Sequence, residues 1–148
     1  MTGLDFINFM CDIYDVSLED RKVNIEKYSK MFEMDGKLGS DISSFSHGMK
    51  QKVALIAALS HNPDVLIMDE PFVGLDPKAV FDMKEVMHKM AKEGKTIFFS
   101  THILDVAEKL CDRVAIIKKG EIVKIGKMKD IKGDESLEQV FLELGDNE

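Results

Sequence analysis

The sequence predicts an α/β protein, a parallel sheet covered by helices and preceded by a purely helical stretch. Three observations carry this. Before residue 62 the apolar side chains recur at spacings of three and four. After it two short apolar runs, VLIM at 65–68 and TIFF at 96–99, alternate with helical periodicity, as buried parallel strands do. A length of 148 residues, 45% apolar and 32% charged, suits one core-bearing domain of ordinary size.

The elements follow in order. Phe6, Ile7, Met10, Ile13 and Tyr14 place a helix over 4–14. Ser17 opens a second helix, with Asp20 completing a capping box and Leu18, Ile25, Tyr28 and Phe32 on one face. Residues 35–45, rich in Gly, Ser and Asp, read as a loop. Ser46 caps a third helix, whose Met49, Val53, Ile56 and Ala57 form an apolar stripe. VLIM then forms a strand buried on both faces. Asp76-Pro77 starts a helix bearing Val80, Met83, Met87 and Met90, and Gly94 stops it. TIFF, a helix over 103–110, a hairpin with a Lys-Gly turn and a last helix over 135–144 complete the chain.

Charge and composition exclude several classes of function. Lys and Arg total 20 against 27 Asp and Glu, a net charge of -7. Such a field repels phosphate backbones, so no nucleic-acid partner is expected. The apolar run from Val53 to Leu59 is far short of the ~20 residues that span a bilayer, and nothing at the start reads as a secretion leader. Cys11 and Cys111 have neither disulfide-framework nor metal-ligand spacing, which fits a reducing cytoplasmic setting.

Four segments carry chemistry. In VLIMDEP the apolar run delivers Asp69 and Glu70 to the C-terminal end of a strand, where open α/β sheets bind ligands. One carboxylate there can hold a metal through water while the other orients an attacking water. STH at 100–102 follows the second strand, so His102 sits near the carboxylates if the two strands are neighbours. In SSFSHGMKQK, Ser46 and Gly48 lie where a helix begins, and exposed N–H groups there favour an anion. In VGLDP, Asp76 caps the following helix. Each segment alone has an ordinary structural reading: a solvated strand end, a structural histidine, two capped helices.

Taken in order and at this spacing, the four resemble the ATP-binding subunit of an ABC transporter. FSHGM is similar to the signature LSGGQ, with Ser46 and Gly48 matching and Phe45, His47 and Met49 departing from it. VLIMDE resembles Walker B, GLD the D-loop and THI the switch-histidine segment, and SLEQVFLEL resembles tails of ABC-2-type exporters. The resemblance implies a P-loop NTPase-like fold, with a helical signature subdomain over 1–61, the C-terminal part of the ATPase core over 62–126 and an extension with a short helix over 127–148. It further implies ATP and Mg²⁺ as cofactors. Asp69 would hold Mg²⁺ through water, Glu70 would be the general base, and His102 would contact the γ-phosphate. Ser46 and Gly48 would grip the nucleotide of a second ATP-binding subunit in a head-to-tail dimer, with Asp76 at that interface. A transmembrane permease would hold the protein peripherally on the inner face of the cell membrane and use ATP hydrolysis for export.

The pattern G-x-x-x-x-G-K-[ST] occurs nowhere in the 148 residues. The chain therefore reads as an ABC ATPase whose N-terminal P-loop half is missing: truncated, split or a fragment. In the family's sheet the P-loop strand lies beside TIFF, so its loss leaves strand edges that invite association. The alternative reading is a degenerate, non-catalytic partner that donates its signature segment to another ATPase subunit.

Overall fold

The computed structural model describes residues 1–146, which divide into two compact units, one over Met1–Ser100 and one beginning at Thr101. The first holds helices α1 (Gly3–Ile13) and α2 (Leu18–Met31), a 3₁₀ turn (Ile42–Ser44), helix α3 (His47–Ser60), strand β1 (Val65–Asp69), helix α4 (Pro77–Lys92) and strand β2 (Thr96–Ser100). The second holds α5 (Leu104–Leu110), β3 (Arg113–Lys118), β4 (Glu121–Lys127), α6 (Met128–Lys132) and α7 (Leu137–Asp146).

In the first unit α3 is the central helix, packing on both α1 and α2. Ile56 on α3 and Ile7 on α1 are fully buried, as are Phe32 and Met34 just after α2. Side-chain hydrogen bonds close the helix ends. The full capping box falls on α1: Thr2 Oγ1 accepts from Asp5 N–H at 3.1 Å, and Thr2 N–H donates to the Asp5 carboxylate at 2.9 Å. At α2 the expected box is replaced by a simpler cap. Ser17 Oγ accepts from Asp20 N–H, and the Asp20 carboxylate takes the Ser17 hydroxyl proton at 2.7 Å instead of a backbone N–H. Leu18, expected on the buried face of α2, is 80% exposed because it stands in the first turn, ahead of the contact with α3.

β1 and β2 pair in parallel, in a register running from Val65 opposite Thr96 to Asp69 opposite Ser100. Helix α4 connects them and packs on β2 with Met83, Met87 and Met90 buried. The strands are not buried on both faces. Leu66 points inward, while Val65, Ile67 and Phe98 on the opposite face are exposed. The cause is the layering of this unit: α4 covers one side of a two-stranded sheet.

The second unit is built around the antiparallel hairpin β3–β4. Lys119 and Gly120 make its turn with φ of 51° and 84°, the paired positive values of a type I′ turn. Ile116 on one face packs with Ala107, Met128, Ile131, Leu137 and Val140. Ile117, Ile122 and Ile125 are exposed. The short helix α6 has no counterpart in the sequence reading, five residues being too few to show a period.

Removing a side chain from the covered core and altering one on the bare sheet face have different expected outcomes. Ile56→Ala should cost about 2–5 kcal/mol in urea unfolding, as for other buried aliphatics. Ile67→Lys should change stability by less than about 0.5 kcal/mol, as exposed substitutions do. It should also lower self-association of the chain in sedimentation velocity, because a charge interrupts an exposed apolar patch.

Candidate functional site

The site begins at the C-terminal end of β1. The parallel register sets Asp69 opposite Ser100, and the Ser100 hydroxyl donates to Asp69 Oδ1. Glu70 N–H donates back to Ser100, to its carbonyl at 3.2 Å and to its Oγ at 3.1 Å. One serine thus orients the side chain of the first carboxylate and the backbone of the second. Glu70 has φ of 45°, a left-handed conformation that costs a non-glycine residue on the order of 1 kcal/mol. Asp69 is exposed and Glu70 half-buried.

His102 lies in the second unit, exposed, two residues beyond Ser100 along the chain. Its backbone sits in a tight turn in which Ile103 N–H donates to Thr101 Oγ1 at 3.1 Å.

A second cluster gathers where α3 begins. Ser46 is the N-cap, its Oγ accepting from Met49 N–H at 3.3 Å. Gly48 stands beside the exposed N–H groups at the helix start. It is also a place where the chain approaches itself: a Cβ there would stand 2.5 Å from the Gly74 carbonyl oxygen. Gly74, at φ of 79°, lies in turn under the His47 ring, and a Cβ on it would meet His47 Cδ2 at 2.6 Å. Gln51 Nε2 donates to the Pro71 carbonyl at 3.4 Å.

Asp76 serves two elements. Its Oδ1 accepts from Ala79 N–H at 3.0 Å, capping α4, and its Oδ2 pairs with Lys52 Nζ of α3 at 2.5 Å. The hydrogen bond from Lys52, with the N–H bond behind it, holds the Asp76 carboxyl at about 2. The structure therefore assembles two groups: Asp69, Glu70 and Ser100 at the sheet end, and Ser46, Gly48, Gly74 and Asp76 where α3 meets the loop before α4. Ser100, Lys52 and Gly74 escaped the sequence reading as site residues. Ser100 could have been found by aligning the ends of the two apolar runs, which gives its pairing with Asp69.

Mg²⁺ prefers hard oxygen ligands and commonly binds through one or two carboxylates together with phosphates and water. Asp69 beside the Ser100 hydroxyl suits such a shared site. Among the described residues no cluster of three or more His, Cys, Asp or Glu side chains could hold a metal by itself.

The Asp76 pair gives a pH test. A carboxyl lowered from 3.8 to about 2 by folding contributes stability that is complete above pH ~4 and is lost as pH falls through about 2. Asp76→Asn keeps a capping side chain and loses the charge. It should be less stable than the wild type at neutral pH in urea titrations, with the difference shrinking as pH is lowered from about 4 to about 2.

Known proteins resemble this chain in sequence and in backbone. Residues 11–107 match the family model described as "AAA domain, putative AbiEii toxin, Type IV TA system". An uncharacterized ABC transporter ATP-binding protein of Methanocaldococcus jannaschii is 38% identical over 128 residues, 86% of this chain and 49% of that protein. The ABC transporter ATP-binding protein NatA of Bacillus subtilis is 34% identical over 145 residues, 96% of this chain and 59% of NatA. A solved ATP-binding subunit of an ABC transporter superposes with a TM-score of 0.93 at 32% identity, over 98% of this chain and 62% of that one. The chain spans about half the length of the curated relatives it matches. It belongs to the family of ABC transporter ATP-binding proteins, with an AAA-type domain over residues 11–107.

Proposed function

We propose that this chain is the signature- and Walker B-bearing part of an ATP-hydrolysing ABC transporter subunit, and that it becomes catalytic when a P-loop-bearing segment is supplied. The observation that carries this is the head of the parallel pair, where Ser100 orients Asp69 and the left-handed backbone of Glu70. In this reading residues 1–61 form the helical subdomain, 62–126 the C-terminal part of the ATPase core and 127–148 an extension.

Glu70 is the general base. It accepts a proton from the attacking water, and its half-buried setting keeps competing solvent away. Asp69 holds Mg²⁺ through water, and the metal, when bound, neutralises charge on the β- and γ-phosphates. His102 hydrogen-bonds the γ-phosphate. Ser46, with the N–H groups beginning α3, grips the γ-phosphate of the nucleotide carried by a second subunit in a head-to-tail dimer, and Asp76 faces that subunit. The lysine and hydroxyl of a Walker A loop have no equivalent in these 148 residues, so the β-phosphate needs another segment. The exposed apolar face of Val65, Ile67 and Phe98 supports such a segment packing beside this sheet.

The wider assembly is part of the proposal: a transmembrane permease coupling hydrolysis to export, and a peripheral position on the cytoplasmic side of the membrane. No described helix is long and apolar enough to cross a bilayer. The lack of a Walker A pattern also favours a second reading, in which the chain donates Ser46 and Gly48 to a complete ATPase and hydrolyses nothing at its own carboxylates.

One experiment separates the two. The chain is mixed with the P-loop-bearing segment of a relative, and Mg²⁺-dependent phosphate release from ATP is measured. The chain alone should be inactive and the mixture active, with Glu70→Gln lowering kcat about 10²–10⁴-fold. If the mixture is inactive while the chain stimulates an intact family ATPase, the donor reading replaces ours.

A further inference from the structure

Four contacts outside the proposed chemistry join the first two turns of α3 to the segment between Glu70 and α4. They are the Lys52–Asp76 pair, the Gln51 bond to Pro71, the Gly48–Gly74 approach and the His47 ring over Gly74. The Lys52 side chain is only 12% exposed, so its stem lies packed along the protein while its ammonium meets a carboxylate that is 45% exposed. A stem held in that way fixes where the charge stands, which favours a close ion pair over a loose one. The partner it has is the side chain that caps α4, so Asp76 links α3, the loop and α4 through one carboxylate.

Without these ties the segment from Val73 to Asp76 would have little to hold it, since Val73, Gly74 and Asp76 are exposed. Loops with few buried contacts open locally at small cost. The two glycines let the backbones touch, and Lys52 and Gln51 hold them in contact. Pro71, the acceptor for Gln51, directly follows Glu70.

We propose that Lys52 is a positioning residue, fixing the Ser46–Gly48 turn to the Glu70–Asp76 segment so that the two act as one rigid body. The catalytic consequence rests on the function proposed above: an anion gripped at the turn for one nucleotide is mechanically continuous with the base serving another. Lys52 touches neither nucleotide in this scheme and acts through Asp76 and the loop.

Amide hydrogen exchange on the full chain tests the coupling without any nucleotide. Lys52→Met should raise exchange in 46–49 and in 72–76 together, by about tenfold or more relative to the α1 core amides of Ile7 and Cys11, and Lys52→Arg should restore it. Because the α1 amides are the internal reference, a general loss of stability cancels. Gln51→Ala, which leaves the ion pair in place, should produce a smaller rise in the same two segments. A rise in one segment only, or in neither, overturns the proposal. In the two-segment ATPase mixture, Lys52→Met should lower kcat with KM for ATP unchanged, and Lys52→Arg should recover it. A wild-type mixture that hydrolyses no ATP would sink the proposed function, while the exchange result would still decide the role of Lys52.

Discussion

The parallel register of β1 and β2 sets the chemistry of this protein. Because Asp69 stands opposite Ser100, the last residue of one strand can hydrogen-bond both the last side chain of the other and the first backbone N–H beyond it. A shift by one residue would turn Ser100 to the other face of the sheet and leave the Glu70 N–H without those acceptors. The left-handed turn at Glu70 depends on the same bonds. It costs on the order of 1 kcal/mol for a residue with a Cβ, and the two hydrogen bonds from its N–H to Ser100 offset that cost. The position of the carboxylates is thus a property of strand pairing more than of the loop that carries them.

The helical part is tied to that strand end by polar and steric contacts rather than by an apolar core alone. Gly48 and Gly74 must both lack a Cβ for the α3 turn and the loop to touch, and Gly74 must also accept a positive φ. His47 closes over Gly74, and under the proposed alignment with the family's signature its departure from glycine is met by this contact on the adjoining loop. Lys52 adds an ion pair to Asp76 from a side chain whose stem is packed against the protein.

Much of this was legible in the sequence, for reasons that can be named. Periodicity found α1 to α4, because each buries one face against a neighbour, and the Asp76-Pro77 pair fixed the start of α4 to the residue. VLIM and TIFF read as strands of a parallel sheet with their adjacency left open, and the fold pairs them directly. What stayed hidden was whatever depends on the surroundings of an element. An apolar run does not say how many of its faces are covered, so Val65 and Ile67 read as buried. Leu18 fits the helical stripe and still lies beyond the reach of α3. Serines capable of capping look alike on paper, and only the fold shows that Thr2 makes the reciprocal box and Ser17 does not. Ser100 and Lys52 gain their roles from partners 31 and 24 positions away, Asp69 and Asp76, which no local pattern encodes.

The bare faces bear on the relation between this chain and its longer relatives. In each unit the sheet has one apolar face packed by the unit's own helices and another, just as apolar, left in water: Val65, Ile67 and Phe98 in the first, Ile117, Ile122 and Ile125 in the second. Side chains that gain ~1.5–3 kcal/mol each on full burial are poor choices for a permanently solvated surface. A backbone that matches a solved ATP-binding subunit at a TM-score of 0.93 over only 62% of that subunit leaves a further share of polypeptide in the relative. Apolar strand faces and a two-stranded parallel sheet are what such a share would complete, whether it is joined to this chain or separate from it. Under the function proposed above, that same polypeptide would also bring a phosphate loop, so one segment would both cover the apolar face and complete the proposed site.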